Sequence, residues 1–126
     1  GAMASGPMVT TSEDFASYEQ DCRRATAALR EHLAVALDKS AGSAARAGAL
    51  RAAAEALERA DQALQQMELE AKTMGALSAS ILPRVKDFRS DLASAKRRMR
   101  EAEAACQRDG LGLSSGRERD PAESRA

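Results

Sequence analysis

Residues 50–74, with the sequence LRAAAEALERADQALQQMELEAKTM, decide the fold of this chain. Their apolar residues form two series with a seven-residue repeat, Leu50, Leu57, Leu64 and Ala71 in one and Ala53, Ala60, Met67 and Met74 in the other. Because the two series are offset by three and four residues, they form one narrow apolar stripe along a helix. Such a stripe is typical of a bundle helix with long partners on both sides.

The composition points to an all-α domain. A chain of 126 residues is one domain at most and can bury a core without metal ions or crosslinks. Its only aromatic residues are Phe15, Tyr18 and Phe88, and alanine supplies much of the apolar content. Alanine is the strongest helix former, whereas the β-branched and aromatic residues that favour strands are scarce.

The three-and-four spacing of apolar residues predicts helices over residues 12–38, 46–74 and 80–108. Gly75 lies where a left-handed cap residue would end the second helix, and Pro83 is tolerable only within a first helical turn. Short connections make neighbouring helices antiparallel, so we expect an up-down-up three-helix bundle over residues 12–108 with a slight left-handed twist. The predicted core contains Leu29, Leu33, Leu50, Leu57, Leu64, Met67, Val85, Phe88, Leu92 and Met99.

Both ends of the chain lack helical periodicity. Residues 1–11 are expected to be a disordered lead that opens with a cloning remnant, Gly1-Ala2-Met3. Residues 109–126 contain three glycines, a proline and alternating charges, which predict a flexible linker. No run of about 18 apolar residues and no hydrophobic signal core occur, so we expect the chain itself to be soluble in the cytosol.

No residue pattern indicates catalysis, a metal or a cofactor. In an up-down-up bundle Cys22 and Cys106 should lie more than about 20 Å apart, which predicts two reduced thiols in the helix seams. His32 lies on the apolar stripe without further ligands at helical spacing, so a packed histidine is expected. Glu68 and Glu70 point in different directions on a helix and cannot act as an acid and base pair. The chain is therefore predicted not to be an enzyme.

Charge is balanced overall but uneven along the chain. Its formal net charge is zero, and residues 84–108 carry most of the clustered cations, namely Arg84, Lys86, Arg89, Lys96, Arg97, Arg98, Arg100 and Arg108. These could bind acidic lipid headgroups, although a solvated helix face needs a similar number of charges. Nucleic acid is not an expected partner, because aromatic residues for base stacking are absent from this region apart from Phe88.

Three segments together resemble the N-terminal domain of a Vti1-type Qb-SNARE. Residues 14–21, DFASYEQD, are similar to the Phe-x-x-Tyr-Glu opening of that family. Residues 66–72, QMELEAK, are similar to its Met-Glu-Leu-Glu ending of the second helix. Residues 84–92, RVKDFRSDL, resemble its pattern of a basic residue, an aromatic residue and a terminal Asp-Leu. Their order, spacing and heptad phase agree over roughly residues 12–108.

This resemblance implies a regulatory Habc-type bundle that precedes a SNARE helix and a C-terminal membrane anchor, both beyond Ala126. The implied partners are the ENTH domain of an epsin-related clathrin adaptor and, through the missing SNARE motif, cognate SNAREs. The full-length protein would lie on the cytosolic face of trans-Golgi and endosomal membranes, attached only through the missing anchor. The bundle would do no chemistry, need no cofactor and be a monomer.

A partner surface is predicted at Leu77, Ser78 and Ile81, because a short loop with apolar residues beside a helix end can enter a partner's groove. The same residues could instead fasten the third helix to the core. A different class of function also stays open, a spectrin-like or coiled-coil scaffold segment that uses the heptads for dimerisation. Spectrin-type repeats usually carry a buried Trp and occur in series, and neither feature is present.

Overall fold

The computed structural model describes residues 13–111, which contain three long helices and no strand. The helices are α1 (Glu13–Ala36), α2 (Ser43–Lys72) and α3 (Ser78–Arg108), with a single 3-10 turn at Gly75–Leu77. The prediction of an all-α fold with three helices is confirmed. The disordered lead predicted over residues 1–11 and most of the predicted linker, residues 112–126, lie outside the described part of the chain.

The connection between α1 and α2 is shorter than the sequence suggested. Helix α1 ends at Ala36, two residues before the predicted end, and α2 begins at Ser43, three residues before the predicted start. The backbone N and Oγ of Ser40 both donate to Oδ1 of Asp38, at 2.9 and 2.6 Å. This local turn competes with helical hydrogen bonding and explains the early end of α1. The same two bonds lower the pKa of Asp38 from its ordinary value.

The connection between α2 and α3 depends on the backbone conformation of Gly75. Its φ of 60° lies in the left-handed region, as the sequence predicted for this position. Helix α3 begins at Ser78, so Pro83 lies in the second turn, and the expectation of a first-turn proline was wrong. Proline lacks an N–H, so the carbonyl of Ala79 cannot receive its helical hydrogen bond. Both residues are exposed, and water can satisfy this carbonyl.

The end of α3 contains a Schellman cap that the sequence analysis missed. The N–H of Gly110 donates to the carbonyl of Gln107 at 3.1 Å, and the N–H of Leu111 donates to Cys106 at 3.0 Å. Gly110 has a φ of 72°, which this cap requires. Leu111 then packs against the core as a partly buried residue. The folded bundle therefore extends to Leu111, three residues into the segment for which a flexible linker was predicted.

The core is built largely from alanine and a few larger side chains. The largest fully buried residues are Phe15, Leu29, Leu33, Met67, Ile81, Val85, Cys22 and Cys106. Eight of the ten predicted core residues are buried, whereas Leu57 and Phe88 are only half-buried at the edge of the core. Phe88 lies at the seam with α1, where the guanidinium of Arg23 covers its ring at 5.1 Å from the centroid.

Contacts between the helices join specific parts of the chain. The Sγ atom of Cys22 lies 3.8 Å from the carbonyl oxygen of Ala60, which places the first half of α1 beside the second half of α2. The carbonyl of Ala36 lies 3.0 Å from Nε of Arg46 and 3.5 Å from Sγ of Cys106. The end of α1 therefore lies beside the start of α2 and the end of α3.

Candidate protein-interaction surface

The predicted partner surface divides between the outside and the inside of the bundle. Leu77, in the 3-10 turn, is 42% exposed, and Ser78 is half-buried at the first position of α3. Ile81 is 1% exposed and belongs to the core. Ile81 therefore fastens α3 to the bundle, as the alternative interpretation held, and offers no contact to a partner. Leu77 and Ser78 stay a prediction.

The sequence analysis overlooked Leu82, which lies next to Ile81 and is 51% exposed. Its signal was an apolar residue displaced by one position from the three-and-four spacing, because such a residue points away from the core. Nearby, Oγ of Ser80 donates to the carbonyl of Leu77 at 2.9 Å and holds the turn. We call Leu77, Ser78 and Leu82 the α2–α3 corner.

A buried glutamate joins α1 to α3 close to this corner. Glu19 is 7% exposed and accepts hydrogen bonds from Nε of Arg84 at 3.2 Å and from Nη2 of Arg23 at 3.1 Å. Nη2 of Arg84 donates to the other carboxylate oxygen. The guanidinium of Arg84 also lies over the ring of Phe15, 5.6 Å from its centroid. The carboxylate is fully satisfied within the protein, so its role is to join helices. We call Glu19, Arg23 and Arg84 the α1–α3 clamp.

A second charged cluster closes the other end of the bundle. Arg46 is 4% exposed, and its Nη1 lies 2.9 Å from Oδ2 of Asp109 while Nε donates to the carbonyl of Ala36. Nζ of Lys39 reaches the same Asp109 oxygen at 3.2 Å. Hydrogen bonds from Arg46 and then Lys39 lower the pKa of Asp109 from its ordinary value. The chain is thus held to the bundle at the point where α3 ends.

The basic stretch of α3 is partly used within the bundle. Arg84 pairs with Glu19, Arg89 pairs with Glu68, and Nζ of Lys96 lies 3.5 Å from Oδ1 of Asp61. These three cations bind carboxylates on α1 and α2, which reduces the charge that the outer face offers to acidic lipids. The lipid-binding hypothesis therefore loses part of its basis.

The cysteines and the histidine are buried or half-buried in the bundle. Both cysteines are free and buried, as predicted, and burial raises the pKa of the Cys22 thiol, which lowers its reactivity. His32 is half-buried. Between residues 13 and 111, no three His, Cys, Asp or Glu side chains are grouped closely enough to bind a metal ion. Over the same range, none of the helices has an apolar stretch sufficient to cross a bilayer.

These features define a three-helix domain in which buried and partly buried charges join one helix to another. The family model for the N-terminus of vesicle transport v-SNARE proteins matches residues 11–103. The chain belongs to this family of SNARE N-terminal domains. The resemblance to a SNARE N-terminal domain is therefore confirmed, while the Vti1 type stays a prediction. No curated protein and no solved structure matches the chain significantly.

Proposed function

We propose that this chain is the regulatory and sorting domain of a Vti1-type SNARE, and that it acts by binding proteins and not by catalysis. The supporting observation is that the three segments that resemble this family contact one another. Glu19 in the first segment binds Arg84 in the third, and Glu68 in the second binds Arg89 in the third. The resemblance therefore covers an interlocking set of residues at one end of the bundle.

The proposal includes an antiparallel up-down-up arrangement of the three helices with a left-handed twist. Two sets of contacts support this arrangement. Ala36, at the end of α1, contacts Arg46 in the first turn of α2. Ala36 also contacts Cys106 near the end of α3, as expected when the first and third helices run parallel.

We place the docking site for the adaptor at the α2–α3 corner. Leu77 and Leu82 are two of the four large apolar residues that are exposed among residues 13–111, and both flank the start of α3. Exposed apolar side chains beside a polar rim are typical of protein contact sites. The partner is the ENTH domain of an epsin-related clathrin adaptor, and the site of action is the cytosolic face of trans-Golgi and endosomal membranes. Pairing with cognate SNAREs and membrane attachment belong to segments beyond residue 126, and the bundle modulates SNARE assembly.

Isothermal titration of the chain with a recombinant epsin-related ENTH domain tests the docking site. The double variant Leu77→Asp and Ser78→Arg should weaken binding at least about tenfold, because it places charge in an apolar contact. Leu69→Asp is the matched control, since Leu69 is 57% exposed on α2 outside the corner. Unchanged affinity of the double variant, or equal loss in the control, would exclude the α2–α3 corner as the docking site.

A further inference from the structure

A long groove lies between α1 and α2, with a volume of about 710 Å³. Its floor contains three alanines, Ala25, Ala28 and Ala63, and Tyr18 lies toward one end. The lining residues on α1 extend from position 18 to position 28, which corresponds to about 15 Å along the helix axis. The groove is therefore long enough to hold about three turns of another helix.

Helix α3 leaves this groove uncovered. The α1 residues that contact α3 through their side chains include Glu19, Arg23 and Arg30. Arg24 and Ala28, in contrast, line the groove on the other flank of α1. Every residue that lines the groove belongs to α1 or α2. The small side chains of the floor would allow a further helix to approach closely, since interaxial distance depends on the residues at the contact.

The walls of the groove carry an excess of positive charge, with two arginines against one aspartate. Arg24 lines it from α1 and Arg59 lines it from α2, and no carboxylate in residues 13–111 lies within salt-bridge distance of either guanidinium. Asp21 is the one carboxylate among the lining residues, and the amides of Gln62 and Gln66 add neutral donors. Two guanidinium groups on opposite walls favour a ligand that brings carboxylates between them.

We propose that the groove between α1 and α2 binds an acidic amphipathic helix of a partner protein. Small apolar side chains of that helix would pack on the alanine floor, and its flanking carboxylates would pair with Arg24 and Arg59. A flat membrane surface is a poorer match, because the floor is recessed between two helices and offers no large apolar side chain for insertion. This surface is separate from the α2–α3 corner, so the inference goes beyond the proposed function and does not depend on the adaptor.

Two synthetic helical peptides of equal length test the proposal by NMR titration of the labelled chain. One has glutamates that flank a stripe of leucine and alanine, and its twin has lysine in place of every glutamate. We expect the acidic peptide to bind at least about tenfold more tightly than the lysine twin, because only carboxylates can pair with the arginines of the groove. The amide shifts should concentrate on Ala25, Ala28 and Ala63. Absence of shifts at these residues at about 1 mM acidic peptide would overturn the proposal.

Charge reversal gives the second arm of the test. Arg24→Glu with Arg59→Glu should weaken binding of the acidic peptide at least about tenfold and strengthen binding of the lysine twin. The matched control is Arg97→Glu with Arg100→Glu, the same charge change on two exposed α3 positions. Circular dichroism melts establish that both double variants fold. If the control variant lost as much affinity for the acidic peptide, the effect would be due to net charge alone, and the groove would be excluded as the binding site.

A third arm separates a protein ligand from a lipid. Flotation of the chain with phosphatidylserine vesicles should leave it in the unbound fraction, with or without the Arg24 and Arg59 reversals. Flotation that the reversals abolish, together with no binding of the acidic peptide, would assign the groove to lipid headgroups and overturn the proposal.

Discussion

The carboxylate of Glu19 and the guanidinium of Arg84 lie 65 positions apart in the chain and bind each other between α1 and α3. The side chain of Glu19 is 9% exposed and that of Arg84 is 42% exposed, so the pair is shielded on one side and open to solvent on the other. Arg23 adds a second cation to the same carboxylate. Because a charge is costly to bury without a partner, this contact fixes how α3 lies against α1.

Removal of the shared carboxylate should destabilise the bundle. Glu19→Ala leaves Arg23 and Arg84 without their partner, and we expect a loss of about 1 to 3 kcal/mol in the free energy of unfolding. Urea denaturation at neutral pH measures this loss. Glu31→Ala is the control, because Glu31 is exposed on the same helix, and its effect should be within about 0.5 kcal/mol. A Glu19 variant as stable as the Glu31 variant would contradict the structural role of the clamp.

The two phenylalanines should differ in their contribution to stability. Phe15 is completely buried, so Phe15→Ala should cost about 3 to 5 kcal/mol. Phe88 is half-buried beneath Arg23, so Phe88→Ala should cost clearly less than Phe15→Ala. Thermal and urea melts of both variants give the comparison. Equal losses would mean that Phe88 is a core residue after all.

The ion pairs of Asp109 should make part of the stability depend on pH. Its pKa is lowered in the folded protein by Arg46 and Lys39, so its contribution is present above the ordinary pKa of an aspartate. That contribution is lost as the pH falls through the lowered pKa. We therefore expect Asp109→Asn to destabilise the chain near neutral pH and to converge with the unmodified chain once the pH falls below the lowered pKa of Asp109.

Urea denaturation at several pH values measures this convergence. Asp87→Asn is the control, because Asp87 is exposed on α3 and has no ion pair within residues 13–111. It should show no comparable difference near neutral pH. A constant offset between Asp109→Asn and the unmodified chain at every pH would show that the effect does not arise from the ionised carboxylate.

The Schellman cap makes Gly110 sensitive to substitution for a purely backbone reason. A Cβ atom at Gly110 would meet open space, but its φ of 72° is strained for alanine, so Gly110→Ala should cost about 1 kcal/mol. Gly42 also faces open space but has a φ of −66° at the N-cap of α2, so Gly42→Ala should be close to neutral, because the entropy gain of about 0.4 to 1 kcal/mol is offset by the weaker capping preference of alanine. Hydrogen exchange of the Leu111 amide reports the cap directly. Unchanged protection in the Gly110 variant would contradict the cap.

The oligomeric state separates the SNARE domain from a scaffold that dimerises through its heptads. We expect light scattering of size-fractionated protein to give the mass of one chain across the accessible concentration range. The reason is that the heptad residues Leu50, Leu64 and Met67 are already buried within one chain and cannot also face a second copy. A stable dimer would restore the scaffold interpretation.

The predicted partner surface shows how much of a contact site can be predicted from a local sequence pattern. The sequence drew attention to the segment after Gly75, and Leu77 is exposed there as a contact residue requires. The three-and-four spacing places Ile81 on the apolar stripe of α3 and Leu82 one position away from it. It could not decide whether Ile81, so near the helix start, is covered by the bundle or open to a partner, because this depends on where α3 begins and how it packs. Capping residues did not indicate that α3 begins at Ser78, directly after the 3-10 turn, because no side chain forms a capping hydrogen bond there.

The sequence by itself determined the number of helices, their approximate extents and the stripe of each that is buried, because alanine content and three-and-four spacing act within a few turns of one chain segment. It also carried the three segments that resemble the SNARE family. Only the tertiary structure decided that Glu19 meets Arg84, that Asp109 belongs to the bundle and that a groove stays open between α1 and α2. The physical reason is that a heptad pattern repeats every seven residues, so it leaves the axial register and rotation of each helix undetermined until side chains from distant segments pack together.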